Sequence, residues 1–318
     1  MIAGTRALKV CLECSGESSF PRHMLSTKHI SKVSAEAIFE AADYAHLWVN
    51  SRKDQVHVNL FHEPSTRTRV SFELAAKKLG MNVVNVNATE SSSVKGETLL
   101  DTVKNLEALG ANTVAIRTNE EGVLGDIAWC SSCLIVNAGD GTNEHPTQAL
   151  LDAYTLRQKW GTLEGKIIAV CGDLEHSRVA RSNYHLLKTL GAEVRLAEPL
   201  FVAYRQPMLF EEVRPFDSIE HAIEGADAVM VLRIQHERWN ARGGGSAYLQ
   251  ACGLTKERLA LAKPGAVVLH PGPINRGIEI DSEIADGPHS LVLQQVKNGL
   301  AVRMAILWLL TQRLTPRA

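Results

Sequence analysis

The sequence has little of what marks secreted, membrane-spanning or nucleic-acid-binding proteins. Six cysteines in 318 residues are too few for a disulfide-stabilised scaffold. The formal net charge of −1 leaves no basic excess for nucleic acid or an anionic membrane surface. The longest apolar run near the C-terminus, residues 305–310, is far shorter than the roughly 20 residues that span a bilayer. Because residues 1–20 also lack the apolar centre of a signal peptide, we expect a soluble cytoplasmic protein with neither nucleic acid nor membrane as a partner.

The cysteines include two C-x-x-C pairs, Cys11 with Cys14 and Cys130 with Cys133. Four thiolates at this spacing can close a tetrahedral zinc site. However, the first pair lies in a segment without periodicity, and the second lies at the edge of an apolar run of strand length. Reduced thiols with no metal are the favoured interpretation. We expect neither a metal nor a cofactor.

Length and periodicity together predict two α/β domains. A chain of 318 residues suits two domains of about 150 residues each. Strand-length apolar runs alternate with helical patterns in both halves, which is typical of two doubly wound parallel sheets. The predicted strands are residues 56–61, 82–86, 112–116, 133–137, 166–171, 193–197, 226–232 and 266–269. The predicted bounds are 1–22 for an N-terminal extension, 23–150 for the first domain with a final helix at 291–312 packed back on it, and 151–290 for the second domain.

The most informative stretch is residues 61–73, which read FHEPSTRTRVSFE. An apolar strand precedes it, Pro64 stops that strand, and apolar residues then recur at helical spacing. Ser65 is the natural N-cap of this helix. Arg67 and Arg69 fall near its first turn, where the positive end of the helix dipole makes a cation costly by about 0.3–1 kcal/mol. This placement indicates that the arginines serve a ligand.

The same stretch has the composition of a phosphate site. Free amide N–H groups at the helix start, hydroxyl groups and a guanidinium together suit a dianion. The alternative is that the arginines only form ion pairs with Glu63 and Glu73. The hydroxyls, the proline stop and the preceding strand favour the phosphate site. The hydroxyls belong to Ser65, Thr66 and Thr68.

Polar residues follow seven of the predicted strands at the point where each strand ends. In open parallel sheets, ligands bind beyond the carboxyl ends of the strands. The pattern therefore predicts a large active-site cleft between the two domains. The polar clusters are residues 65–69, 91–97, 117, 143–148, 175–178, 233–235 and 270–273.

Basic residues at these strand ends have no matching set of carboxylates at the same edges. In a protein with a net charge of −1, such cations indicate a polyanionic ligand, or substrates that carry several negative charges between them. The sequence therefore predicts a local cationic site on a nearly neutral protein. The basic residues are Arg67, Lys95, Arg117, Arg178 and Arg233.

His145 precedes Pro146 at the start of a predicted helix. This position disfavours imidazolium, so a neutral His145 could donate a hydrogen bond to a carbonyl oxygen. The alternative is a core histidine satisfied by backbone groups, and the nearby Gln148 favours the site. The sequence contains no P-loop, nucleophile-elbow or zinc-protease motif. These groups suit electrostatic catalysis of transfer from an activated phosphate, with no covalent intermediate.

A resemblance to a known family rests on six motifs. The chain resembles the catalytic chains of the aspartate/ornithine carbamoyltransferase superfamily, and within it the aspartate branch, over residues 23–312. The motifs are FHEPSTRTRVSFE at 61–73, SVKGETLLDT at 93–102, NAGDGTNEHPTQALLD at 137–152, GDLEHSR at 172–178, RIQHER at 233–238 and HPGP at 270–273.

The resemblance implies transfer of the carbamoyl group of carbamoyl phosphate to L-aspartate, an early step of de novo pyrimidine biosynthesis. It implies a homotrimer in which Ser91 and Lys95 reach the active site of a neighbouring subunit. Association with regulatory chains or with dihydroorotase stays open. The residues implied for carbamoyl phosphate are Ser65, Thr66, Arg67, Thr68, Arg117, His145, Gln148, Gly272 and Pro273. Those implied for L-aspartate are Ser91, Lys95, Arg178, Arg233 and Gln235, and those implied in catalysis are Arg67, Lys95, Arg117 and His145.

Two other functions compete with this one. An ornithine carbamoyltransferase would share the phosphate loop, but Arg233 would repel its cationic substrate. That branch also carries a His-Cys-Leu-Pro loop, where this chain has HPGP at 270–273. A catalytically inactive homologue that serves as an assembly partner would have lost Arg67, Lys95 or His145, and this chain retains all three.

Overall fold

The computed structural model describes residues 20–87, 96–198, 215–216, 218–234 and 245–312. Residues 1–19 of the predicted extension lie outside this part, as do three residues of the predicted site, Ser91, Lys95 and Gln235. The chain divides into two compact units, of which one comprises Met1–Tyr154 and Lys297–Ala318 and the other Thr155–Val296.

The first unit is built on a four-stranded parallel sheet with the strand order β2-β1-β3-β4. The strand β1 has nearly every side chain buried, as expected for a parallel sheet covered on both faces. In the register of the sheet, Phe61 of β1 lies opposite Arg117 of β3. The elements are α1 (Lys32–Asp43), a 3-10 helix (Ala45–Trp48), β1 (Val56–Phe61), α2 (Thr66–Leu79), β2 (Asn82–Asn87), α3 (Leu99–Ala108), β3 (Thr113–Thr118), α4 (Val123–Cys130), β4 (Leu134–Asp140) and α5 (Pro146–Trp160), which continues into the second unit.

The second unit repeats the plan with a four-stranded parallel sheet of order β6-β5-β7-β8. The core of this unit is apolar and includes Val229 and Val268 from neighbouring strands. The elements are β5 (Ile167–Cys171), α6 (Arg178–Thr189), β6 (Glu193–Ala197), α7 (Ile219–Ile223), β7 (Ala228–Val231), α8 (Gly245–Cys252), α9 (Lys256–Leu259), β8 (Val267–Leu269), α10 (Ser282–Ala285) and α11 (Val292–Thr311), which returns to the first unit.

The helix that follows β1 begins and ends where the sequence predicts. Ser65 occupies the N-cap position, and Gly80 ends α2 in the left-handed conformation with φ of 85°. A Cβ on Gly80 would lie 3.0 Å from Asn50 Cα, so glycine is required there by both conformation and space. The predicted strand, loop and helix are therefore confirmed at this point of the chain.

The predicted fold class, with two doubly wound parallel sheets, is confirmed, and each of the eight predicted strands occurs. Four short helices were not predicted, namely α4, α7, α8 and α10. For α4 the reason is local, because its N-cap is Gly122 with φ of 77° and no side-chain cap marks its start. Among the helices of the described residues, none combines the length and the hydropathy needed to cross a membrane.

The second C-x-x-C pair is split between two environments. Cys130 is the last residue of α4 and is exposed, whereas Cys133 is buried and its thiol lies 3.3 Å from the carbonyl oxygen of Ala111. Cys11 and Cys14 lie outside the described residues. Within the part that the structure describes, no three His, Cys, Asp or Glu side chains are grouped so that they could hold a metal ion.

Candidate active site

Ser65 and Arg117 lie together at the topological switch point of the first sheet. The neighbours β1 and β3 lead to opposite sides of the sheet, and ligands of open α/β sheets bind at such a point. Arg117 Nη1 donates to Ser65 Oγ at 3.0 Å. Although Ser65 is the N-cap of α2, its hydroxyl makes no capping hydrogen bond. The hydroxyl is therefore oriented by the side chain from β3 rather than by its own helix.

Arg117 also forms an ion pair, which corrects the expectation that the cations lack carboxylates. Its Nε lies 3.1 Å from Glu63 Oε2, and both side chains are partly buried. Glu63 was considered only as a partner for the arginines of the phosphate stretch. Its pairing with Arg117 depends on the adjacency of β1 and β3, which the local sequence does not reveal.

Arg67 lies in the first turn of α2 near a buried acid. Burial lowers the pKa of the Arg67 guanidinium, and the negative charge of Asp152 acts in the opposite direction. Asp152 is fully buried in α5 and accepts a hydrogen bond from Gln148 Nε2 at 2.8 Å. One carboxylate thus acts on two predicted site residues. Of the two threonines beside Arg67, Thr66 is exposed and Thr68 is buried.

The last helix contributes a residue that the sequence analysis missed. Arg303 of α11 is only 3% exposed. Burial lowers its pKa to about 10, with a further lowering by Arg67 and Arg117 and a partial offset by Asp152. The guanidinium therefore remains charged at neutral pH. The sequence does mark Arg303, because it is the one charged residue within the otherwise apolar residues 300–310.

A braced loop holds His145 at the start of α5. Asp140 at the end of β4 accepts hydrogen bonds from the backbone N–H groups of Glu144, at 3.0 Å, and Gly122, at 3.2 Å. The buried Glu144 accepts from the N–H of Thr27 at 2.7 Å and from its hydroxyl at 2.6 Å. The segment before His145 is therefore fixed on both sides, which suits a side chain that must be held in one orientation. The imidazole itself is buried.

The second sheet has its own switch point between β5 and β7. Gly172 follows β5 with φ of +130°, and a Cβ there would lie 3.1 Å from Leu232 Cβ, just after β7. Glycine therefore permits the close approach of the two strand ends. Arg178, the first residue of α6, and Arg233, two residues after β7, lie on the two connections that leave this point.

Carboxylates also occur at this edge, so the expectation of unmatched cations is wrong here too. The buried Asp173 has Oδ1 2.9 Å from His176 Nδ1. Glu198, just after β6, accepts from the backbone N–H groups of Leu174 at 3.0 Å and Glu175 at 3.1 Å. Burial raises the pKa of Glu198, and the charges of Asp173 and Glu175 raise it further against these hydrogen bonds. The edge is therefore mixed in charge.

The loop after β8 holds Gly272 and Pro273 through a buried hydrogen-bond chain. The N–H of Gly272 donates to His270 Nδ1 at 2.8 Å, which leaves the imidazole proton on Nε2. That nitrogen donates to Glu279 Oε1 at 3.1 Å. The same oxygen accepts from the N–H of Asn275 at 2.5 Å. The sequence motif marked His270, but its partner Glu279 was missed because no regular spacing joins them.

Comparisons with known proteins agree with this architecture. The family described as aspartate/ornithine carbamoyltransferase, carbamoyl-P binding domain, matches residues 22–158, and the Asp/Orn binding domain of the same enzymes matches residues 164–310. The aspartate carbamoyltransferase catalytic subunit of Sorangium cellulosum is 49% identical over 300 residues, which cover 91% of this chain and 92% of that protein. The corresponding subunit of Gluconobacter oxydans is 46% identical over 298 residues, which cover 91% and 95%.

Solved structures give the same result. The aspartate transcarbamoylase of Trypanosoma cruzi, in complex with carbamoyl phosphate and aspartate, matches with a TM-score of 0.80 and 28% identity, covering 92% of this chain and 97% of that one. The ornithine carbamoyltransferase of Pyrococcus furiosus matches with a TM-score of 0.81, covering 94% and 100%, and at 24% identity this likeness shows the fold alone. The resemblance inferred from the motifs is confirmed: this chain belongs to the aspartate/ornithine carbamoyltransferase family.

Proposed function

We propose that this chain transfers the carbamoyl group of carbamoyl phosphate to the amine of L-aspartate, giving N-carbamoyl-L-aspartate and phosphate. The observation that carries the proposal is the contact of Arg117 with Ser65 at the first switch point, beside the helix start that bears Arg67. Relatives that are 46% and 49% identical carry the name of this activity. The reaction places the protein in pyrimidine biosynthesis and, as we propose, in the cytoplasm.

The first unit binds the donor in this proposal. The phosphate lies against the start of α2, where free backbone N–H groups, the hydroxyls of residues 65–68 and the Arg67 guanidinium converge. Arg117 and His145 donate to the carbamoyl carbonyl oxygen. Because Gln148 gives its Nε2 hydrogen to Asp152, its amide oxygen is available to the carbamoyl NH₂ group.

The second unit binds the acceptor. Arg178 and Arg233 each take one carboxylate of L-aspartate, because a guanidinium matches a carboxylate with two parallel hydrogen bonds. Gln235 assists, and Gly272 and Pro273 present backbone groups to the reacting carbon.

The chemical step needs no covalent enzyme intermediate. The uncharged aspartate amine attacks the carbonyl carbon, and the carbon–oxygen double bond becomes a tetrahedral oxyanion. Arg117 and His145 stabilise that oxyanion, and each such donor contributes roughly 2.7–4 kcal/mol. The bond from carbon to the phosphate oxygen then breaks, and the departing phosphate accepts the amine proton. The product and phosphate together account for every atom of the substrates.

We further propose that the working enzyme is a homotrimer with shared active sites. In this arrangement Ser91 and Lys95 of one subunit complete the site of its neighbour. Lys95 adds a cation beside both substrates, so a single chain alone is inactive. This part of the proposal rests on the family motif SVKG at residues 93–96.

A product assay decides between the aspartate and ornithine branches. The purified full chain receives carbamoyl phosphate with equal amounts of L-aspartate and L-ornithine, and the products are separated. We expect carbamoyl aspartate, because Arg233 attracts a carboxylate and repels the ornithine side chain. Citrulline as the main product would overturn the assignment. The absence of both products from assembled trimers would favour an inactive homologue.

A pair of arginine variants tests the phosphate site. Arg67→Ala should lower kcat/KM by about 10²–10³-fold without unfolding the protein, since it removes a charged donor from the reacting group. Arg69→Ala is the matched control, because Arg69 lies on the same helix and its charge acts on the partly exposed Glu73. If Arg67→Ala were as active as Arg69→Ala, the phosphate role would be excluded.

A further inference from the structure

Arg303 is a buried cation that has no ion-pair partner among the described residues. Its Nη1 donates to Ser71 Oγ at 2.8 Å, and its Nη2 lies 3.5 Å from Thr147 Oγ1. The guanidinium also lies over the ring of Phe72 at 5.1 Å. Within the described residues, no carboxylate comes within ion-pair distance of Arg303, and its Nε has no hydrogen-bond acceptor.

Such a residue is costly to bury. An ionised group in a protein interior is normally paired with an opposite charge, because desolvation otherwise exceeds what hydrogen bonds return. The charges that act on Arg303 are those of Arg67, Arg117 and Asp152, two positive and one negative. The surroundings therefore raise the electrostatic cost of the guanidinium. A bound dianion would lower it.

The hydroxyl contacts of Arg303 join the two helices that begin at the proposed donor site. Ser71 lies in α2, which starts beside Ser65 and Arg67, and Thr147 lies in α5, two residues after His145. The guanidinium therefore bridges the second turn of α2 and the first turn of α5. A shift of this guanidinium would therefore move α2, which begins at the proposed phosphate site, relative to α5, which begins beside His145.

We propose that Arg303 is a positioning residue of the donor site: it fixes the starts of α2 and α5 relative to each other and adds a buried positive charge behind the bound phosphate. The inference rests on the proposed phosphate site. It does not place Arg303 in contact with substrate. The group acts through Ser71 and Thr147, and through space on the anion.

The first test measures anion binding apart from turnover. The full chain, as the assembled enzyme, is titrated with inorganic phosphate and followed by the shift in Tm and by inhibition of the reaction. Arg303→Gln should raise the phosphate Kd about tenfold, the effect expected when one charge is lost in a low-dielectric environment. Arg303→Lys keeps the charge and should recover part of the affinity, but it cannot reach both hydroxyls.

A second variant moves the guanidinium without removing its charge. A Cβ on Gly299 would lie 2.8 Å from Arg303 Nη1, and the flexible arginine tip is the group that must yield. Gly299→Ala also improves helix propensity, because alanine is the better helix former. We therefore expect Gly299→Ala to weaken phosphate binding several-fold while Tm without phosphate stays the same or rises.

Arg52 provides the control for a purely structural role. It also anchors α11, through a 2.9 Å hydrogen bond to Thr311 Oγ1 and a stacking contact 5.5 Å from the Trp308 ring. Arg52→Gln should lower Tm and leave the phosphate Kd unchanged. If Arg303→Gln and Gly299→Ala both kept the phosphate Kd within twofold of the wild type, the inference would be overturned. If Arg67→Ala also left that Kd unchanged, the proposed phosphate site itself would be wrong.

Discussion

At the scale of single residues, polar side chains inside apolar strands determine much of the local order. His57 and Asn59 are fully buried in β1, and His57 Nε2 donates to Asn59 Oδ1 at 3.1 Å. His57 Nδ1 accepts from the hydroxyl of Thr113 on β3 at 2.7 Å. Asn59 Nδ2 in turn donates to Asn85 Oδ1 at 2.9 Å on β2. This ladder joins three strands around an imidazole that burial keeps neutral, since burial lowers the pKa of His57.

The buried His57 predicts a pH dependence of stability. Burial lowers its pKa from 6.5 to about 4, against a smaller opposing effect of the Asn59 hydrogen bond. Between pH 4 and pH 6.5, His57 therefore binds a proton in the unfolded chain but not in the folded chain. The stability that depends on neutral His57 is fully present above pH 6.5. As pH falls from 6.5 towards 4, the free energy of unfolding decreases by about 3 kcal/mol on this account.

Urea unfolding at a series of pH values checks this expectation. His57→Gln cannot titrate, so its unfolding free energy should fall less steeply than that of the wild type from pH 6.5 to pH 4. His46→Gln is the control, because it makes the same replacement at an exposed position. Equal slopes for wild type and His57→Gln would contradict the prediction.

The sequence marks candidate site residues more readily than their partners. Ser65, Arg67 and Arg117 are candidates because their residue types stand out beside a strand end. Asp152 and Glu63 were missed as partners because each meets its arginine across a distance that only the folded chain closes. A carboxylate in a helix or a loop has the ordinary appearance of a solvated group, and its burial is a property of the packed unit.

At the scale of helices, strands and loops, strands were predicted well because a buried parallel strand is an unbroken apolar run. Long helices with a side-chain cap were predicted well also, and Thr98 and Ser177 each cap their helix by accepting a backbone N–H. The short helices α7 and α10 escaped notice because five and four residues give too little periodicity, and α4 and α8 are only eight residues long. Tertiary packing decides whether such turns become helical.

The loop after β8 is hydrogen-bonded to the chain just after Arg233. Asn275 Nδ2 donates to the carbonyl oxygen of Ile234 at 3.1 Å, directly after Arg233. The backbone N–H of Asn275 donates to Glu279 Oε1, which also accepts from His270. Glu279 thus couples the position of Gly272 to the strand end that carries Arg233.

Variants of Glu279 test this coupling. Glu279→Leu removes the shared acceptor and should lower kcat by about 10²-fold, since a displacement of the order of 1 Å at a reacting centre costs that much. Glu279→Gln keeps one oxygen and should retain most of the activity. Glu283→Leu is the control, because Glu283 pairs with Lys256 at the exposed surface. Steady-state kinetics with both substrates varied gives the result, and a Glu279→Leu enzyme within twofold of wild type would refute the coupling.

At the scale of the whole molecule, the two units repeat one plan with different chemistry at the same place. Each sheet has its switch point between the first and third strands of its unit, in the orders β2-β1-β3-β4 and β6-β5-β7-β8. The first switch point carries Ser65 and Arg117, and the second carries Arg178 and Arg233. In the proposed function these residues bind an anionic donor and an anionic acceptor separately, which suits a direct transfer between them.

The proposed sharing of sites between subunits leads to a quantitative prediction. Arg67→Ala and Lys95→Ala trimers should each be inactive, because every site lacks one of the two cations. When equal amounts are dissociated and reassembled together, each mixed trimer regains one intact site, built from Arg67 of one chain and Lys95 of its neighbour. About three quarters of the trimers are mixed, so we expect about a quarter of the wild-type activity.

Arg67→Ala mixed with Arg178→Ala is the matched control and should stay inactive, because both arginines belong to the same chain of each site. If verified mixed trimers of Arg67→Ala and Lys95→Ala had no activity, each chain would hold a complete site. Activity from the control pair would instead show that Arg67 and Arg178 of one site come from different chains.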